Sequence, residues 1–126
     1  HDALPILAQM WLDKGICGDR RYLSRATCEL FTTLKSRDSR RGLGFDKPDI
    51  EHTDNSPCSP EAPASVFGHT GFTGTCVWID PDNELIFVFL SNRTYPSVYE
   101  PNNLVRYNIR TRMQQVMLQA DARKNM

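Results

Sequence analysis

The stretch FGHTGFTGTCVWIDPDNELIFVFLSN, Phe67 to Asn92, decides how this chain folds. Its first eight residues, Phe67 to Gly74, carry three glycines, two threonines and one histidine. Glycine at that density lets a backbone come close to a ligand, and the hydroxyls and imidazole are groups that can contact one. Ser65–Gly71 and Thr75–Asp80 read as strands. Between the second strand and the next run, Asp80-Pro81-Asp82-Asn83 reads as a turn, with Pro81 fixing φ and Asn83 suited to left-handed backbone. Glu84–Ser91 is almost continuously apolar, the pattern of a strand covered on both faces and not of one with a wet side.

Upstream, Leu4, Leu7, Ala8, Trp11 and Leu12 recur at helical spacing, with Asp2 as cap, Pro5 in the first turn and Gly15 as stop. Ser24 reads as the N-cap of a second helix, flanked by Leu23 and Cys28 at staple positions and followed by Leu30, Phe31 and Leu34. Residues 3–34 therefore read as two helices joined by a polar turn. A short strand is expected around Leu43 and Phe45. Residues 46–64, with Pro48, Pro57, Pro60 and Pro63, read as a loop. His52 and Cys58 lie in it among acids, and a solvated loop is the reading favoured over a metal site.

Downstream, Asn102–Ala122 reads as an amphipathic helix with a stripe of Val105, Ile109, Met113, Val116 and Ala120, and with Arg106, Arg110 and Arg112 on its solvated side. The order of elements predicts an α+β fold, an antiparallel sheet with helices on its faces, within one partial domain spanning 1–126. The strands fall in 65–92. One helix cannot cover both faces of residues 84–91, so the second cover is expected from the N-terminal helices or from protein outside these residues.

Lys plus Arg and Asp plus Glu both number 15, so no net charge favours nucleic acid or an anionic membrane. No apolar run reaches the roughly 18 residues of a membrane span. The opening His1-Asp2-Ala3 runs straight into a helix pattern, so no signal peptide is expected and the start reads as a domain cut. Cys17, Cys28, Cys58 and Cys76 show no C-x-x-C spacing. Cys17–Cys28 is the easier pair for one disulfide, but idle thiols are the expectation. Thr73-Gly74-Thr75 is also a weak candidate for a phosphate nest, without a P-loop lysine or a following helix.

His69-Thr70-Gly71, the strands ending in Leu90-Ser91-Asn92-Arg93, Tyr95-Pro96 and the final helix resemble the C-terminal part of serine β-lactamase-like hydrolases. That group includes class C type β-lactamases, penicillin-binding-protein-like peptidases and related esterases. Trp11-Leu12, Gly15, Tyr22-Leu23-Ser24, Leu30-Phe31-Thr32-Thr33 and Gly42-Leu43-Gly44-Phe45 resemble the stretch preceding that family's motif strand. A finer likeness is to the β-lactamase-like domain fused to family 3 glycoside hydrolases. The resemblance implies acyl transfer by a serine of a Ser-x-x-Lys motif, with a Tyr-x-Asn motif and a Lys-Thr-Gly strand.

His69 would stand in for the lysine of the third motif, Thr70 would hydrogen-bond substrate, and Gly71 would leave room for the acyl group. The N–H of Phe72 would be one of two oxyanion donors, and Thr73 would join the substrate wall. A histidine, with reference pKa of about 6.5, is only partly charged at neutral pH, which favours ester or amide hydrolysis over β-lactam turnover. No serine here has lysine three residues on, and no tyrosine has asparagine two residues on. The chain by itself is thus expected to be inert, the C-terminal part of an enzyme or, alternatively, an accessory module that holds cell-wall glycan or peptide. The resemblance implies a small-molecule or cell-wall peptide substrate, no cofactor and no metal, and a bacterial periplasmic or envelope location. Self-association, or association with an N-terminal half, is expected from the apolar strand.

Overall fold

Three antiparallel strands lie at the centre of the fold in the computed structural model, which describes residues 3–33, 38–99 and 102–124. β3 (Phe67–Thr70), β4 (Cys76–Asp80) and β5 (Leu85–Phe89) follow α1 (Ala3–Leu12), the two-residue strands β1 (Ile16–Cys17) and β2 (Arg20–Arg21), and α2 (Arg25–Thr32). The chain ends in α3 (Asn103–Arg106) and α4 (Ile109–Lys124). The sheet order is β3-β4-β5. Its register pairs Phe67 with Ile79 and Ile86, and Gly68 with Trp78 and Phe87. Side chains alternate across a strand, so each of these triplets shares one face.

One face carries Cys76, Trp78, Leu85, Phe87 and Phe89, packed under Cys58, Ala62 and Val66 of the long loop and under Met117 and Leu118 of α4. The other carries Phe67, Val77, Ile79 and Ile86, packed under Ala8, Trp11 and Leu12 of α1 and under Phe45. Trp11 meets Phe45 edge-on at 4.8 Å, and Phe45 meets Phe67 at 5.1 Å. The second cover of the sheet is therefore α1. Burial of these aromatic and aliphatic groups is the main favourable term of folding, at about 1.5–3 kcal/mol for each large side chain.

Local chemistry explains the element ends. Ser24 Oγ accepts the Thr27 N–H at 3.0 Å, capping α2. Past α1, Gly15 sits at φ 93 and its N–H reaches the Met10 carbonyl at 2.8 Å. The link to α2 is more than a polar turn, because β1 and β2 pair across Gly18, at φ 58. The cap expected from Asp2 and the apolar position Leu34 lie outside the described residues.

Several expectations need correction. No strand forms around Leu43 and Phe45. Gly42 and Phe45 close a tight turn and only Asp46 bridges to the sheet, opposite Gly68. In the β4–β5 turn the left-handed residue is Glu84, at φ 53, and not Asn83. Asp80 holds that turn instead, accepting from the N–H groups of Asp82 and Asn83 and from the Asn83 side chain.

The C-terminal helix is broken at Asn108, at φ 49, into α3 and α4. Its expected stripe faces outward: Val105, Met113 and Val116 are 53%, 50% and 63% exposed, while Gln114 and Leu118 are buried. Gln114 turns inward because its Oε1 accepts the buried Ser59 N–H at 2.8 Å, and an unpaired buried N–H is costly. The loop is thus packed at Cys58, Ser59 and Ala62, while residues 50–55 are exposed. Arg110 also leaves the solvated side and points toward the β3–β4 loop, with Nη1 3.4 Å from the Gly74 carbonyl.

Candidate functional site

β3 is an edge strand, and among the described residues its outer side pairs only through Gly68, whose N–H and C=O both bond Asp46. Gly68 has to be glycine, because a Cβ would fall on the Val77 carbonyl and 2.7 Å from Trp78 Cε3. Asp46 is buried, with Arg40 Nη2 donating to Oδ2 at 2.9 Å. Lys47 follows, also buried, its Nζ donating to the carbonyls of Thr32, Ser65 and Val66. Desolvation holds the Lys47 ammonium below its ordinary range. These charges anchor the strand start and leave its far end open.

At that far end His69 is exposed and shares a face with Val77 and with α1, which lies across β4 and β5. The ring Nδ1 is 2.7 Å from the Thr70 carbonyl. A carbonyl only accepts, so Nδ1 carries the proton in this contact. Thr70 points to the opposite face, and its hydroxyl bonds no group among the described residues. The space a side chain at Gly71 would need is filled by Thr75 Oγ1. Phe72 is 71% exposed, and Thr73 is exposed as well.

The loop that joins β3 to β4 is tightly tied. Gly71 N–H donates to the Thr75 carbonyl at 2.7 Å and Gly74 N–H to the Gly71 carbonyl at 3.0 Å. Arg93 N–H donates to the Thr73 carbonyl at 2.8 Å, joined there by Ser91 Oγ at 3.2 Å. The Arg93 Nε donates to the Phe72 carbonyl, with the guanidinium 4.7 Å from the Phe72 ring centroid. Among the described residues nothing accepts from the Phe72 N–H. An ordered, unpaired N–H beside an exposed imidazole and a free hydroxyl is an arrangement able to bind a carbonyl oxygen or oxyanion.

His69, Thr70, Gly71, Phe72 and Thr73 follow one another along one strand end and one loop, with His69 and Thr70 on opposite faces of the sheet. In the sequence, Ser91 and Arg93 stood out only as part of the stretch that ends the strands, and Arg110 was expected on the solvated side of the last helix. The signal was in the hairpin count, since carrying the Cys76–Phe89 register four residues further sets Phe72 opposite Arg93. Two cavities, of about 930 and 690 Å³, lie elsewhere, one beside α1, α2 and Asp82, the other beside Asp49 and His52. His52 Nδ1 is 3.6 Å from Asp49 Oδ1, and the described residues hold no cluster able to bind a metal. The four cysteines are thiols, three of them buried. Burial pushes Cys76 up to about 11 and Cys58 higher, so neither is a ready nucleophile.

Comparison with known proteins gives the family. A "Putative D-alanyl-D-alanine carboxypeptidase" of Escherichia coli O157:H7 is 35% identical over 101 residues, which are 78% of this chain and 22% of that protein. An "N-acetylmuramyl-L-alanine amidase" of Bacillus subtilis strain 168 is 31% identical over 100 residues, 79% of this chain and 22% of that protein. The chain thus spans about a fifth of the length of these relatives. No helix among the described residues is long and apolar enough to cross a membrane. The profile of the Beta-lactamase family matches residues 17–109, a span that takes in α2, the whole sheet and the His69 loop, and the chain belongs to that family.

Proposed function

We propose that residues 67–75 are one wall of an acyl-transfer site in a serine hydrolase. The serine, its lysine and the Tyr-x-Asn motif would stand on preceding polypeptide of the same protein. The observation that carries this reading is the unpaired Phe72 N–H, held in a tied loop at the open end of an edge strand in a Beta-lactamase family chain. The serine Oγ attacks a substrate carbonyl. The oxygen takes up negative charge between the serine N–H and the Phe72 N–H, and the leaving alcohol or amine departs with a proton. An exposed imidazole at His69, where the family motif has the fixed cation of a lysine, favours esters and amides.

The preceding polypeptide would pack on the open edge of β5 and on the outward apolar residues Val105, Met113 and Val116, which have no cover among the described residues. The relatives named for D-alanyl-D-alanine and muramyl-alanine bonds support a cell-wall peptide as substrate class and a place in the bacterial envelope. Fusion to a family 3 glycoside hydrolase is the finer form of the proposal. The accessory-module reading is favoured by one fact, the lack of Ser-x-x-Lys and Tyr-x-Asn within these residues.

Assay of the full-length polypeptide with an activated ester, a D-alanyl-D-alanine peptide and a chromogenic cephalosporin separates the two. Hydrolysis by the full length but not by residues 1–126 supports the enzyme. No turnover by either form supports the module.

A further inference from the structure

We propose that Arg93 is a positioning residue that fixes the loop carrying the Phe72 N–H for oxyanion binding, an assignment that rests on the acyl-transfer reading above. The carbonyls of the 71–75 loop are all engaged. Gly71 O accepts from Gly74, Thr73 O from the Arg93 backbone and from Ser91, and Thr75 O from Gly71. Gly74 O is met by Arg110 at 3.4 Å. With the carbonyls turned to these partners, the Phe72 N–H is left without one.

Arg93 holds two successive carbonyls, Phe72 through Nε and Thr73 through its own N–H, and covers the Phe72 ring as well. Gly74 shows how closely it is seated, since a Cβ there would lie 3.3 Å from Arg93 Cβ and Cγ and 2.6 Å from Ser91 Oγ. Only a planar guanidinium can donate to the carbonyl and lie over the ring at once. A lysine could keep the first contact and would lose the second. The peptide that bears the Phe72 N–H is held by its own carbonyl, Gly71 O, which accepts from Gly74, and the arginines hold the three carbonyls that follow.

A competing role is direct capture of a substrate carboxylate by Arg93, and kinetics separate the two. In the full-length protein, Arg93→Ala is expected to lower kcat by roughly 10- to 100-fold on both a neutral ester and a D-alanyl-D-alanine peptide, less than outright loss of an oxyanion donor. KM should hold within about twofold, because a donor that acts on the transition state leaves substrate affinity alone. Arg93→Lys should recover part of the loss, roughly 3- to 10-fold, since one hydrogen bond survives. In residues 1–126 the Phe72 amide resonance should move in Arg93→Ala and lie nearer wild type in Arg93→Lys, with the other β3 and β4 amides unchanged.

The assignment is overturned by an unchanged kcat, by a KM rise confined to the carboxylate-bearing peptide, or by Ala and Lys variants equally impaired with lowered melting temperature. A wild-type protein that turns over neither substrate overturns the acyl-transfer reading and the Arg93 assignment with it. Turnover that is indifferent to Arg93 overturns the assignment alone.

Discussion

Replacing Gly68 with alanine puts a methyl group into space the sheet already uses. The new Cβ would coincide with the Val77 carbonyl oxygen and lie 2.7 Å from Trp78 Cε3. Neither neighbour can step aside. Val77 is fixed in the β3–β4–β5 ladders, and Trp78 is 2% exposed beneath the loop and α4. Ordinary carbon contacts need about 3.5 Å, so β3 has to move off β4 by about an ångström. Overpacking costs about 1–3 kcal/mol, and rigid neighbours place this case at about 3 kcal/mol. For a domain of this length that lowers the melting temperature by roughly 10 °C. Thermal melts followed by circular dichroism, with urea titrations beside them, measure it. A melting temperature within about 2 °C of wild type would refute the reasoning and with it the Gly68–Trp78 register.

Which side of α4 faces the core is tested by two truncations: Leu118→Ala should cost about 2–4 kcal/mol in urea unfolding, against under about 0.5 for Val116→Ala. Ser24→Ala, which removes the cap on the Thr27 N–H, should cost about 1 kcal/mol by the same measurement. Alkaline pH should destabilise the fold. Cys76 and Cys58 keep their protons in the fold above the ordinary value of 9.0, so their stabilisation is full below it and is lost as pH climbs toward about 11 for Cys76. Lys47, lowered from 10.5, has the opposite slope, stability rising with pH in the window beneath that value. The fall above the thiols' ordinary 9.0 is blunted in Cys58→Ala, and urea midpoints taken from that pH upward would show it. Val116→Lys should reduce self-association of residues 1–126 at unchanged melting temperature, read by light scattering.

The α+β class was legible because the strand runs, the Asp80–Asn83 turn and the Ser24 cap each have local causes. The helix face was not. Periodicity ranks Val116 above Gln114 as a core residue, and the reversal comes from Ser59, 55 residues away, whose buried N–H needs an acceptor. The tight turn at Gly42–Phe45 likewise looked like a strand, because what pairs with β3 is the single residue Asp46. At the candidate site, His69, Thr70 and Phe72 were singled out by the tripeptide and its resemblance. Arg93 was not, because its partner is set by the register of two hairpin strands and not by any spacing in the motif.

The most direct test traps the acyl group itself. The full-length protein is treated with penicillin or an activated ester, quenched, and mapped by peptide mass spectrometry, with His69→Ala in parallel. The account predicts an ester-linked adduct on a serine outside residues 1–126, formed roughly 10- to 100-fold more slowly in the His69 variant. An adduct on any of the serines within these residues, or one whose rate ignores His69, would contradict it.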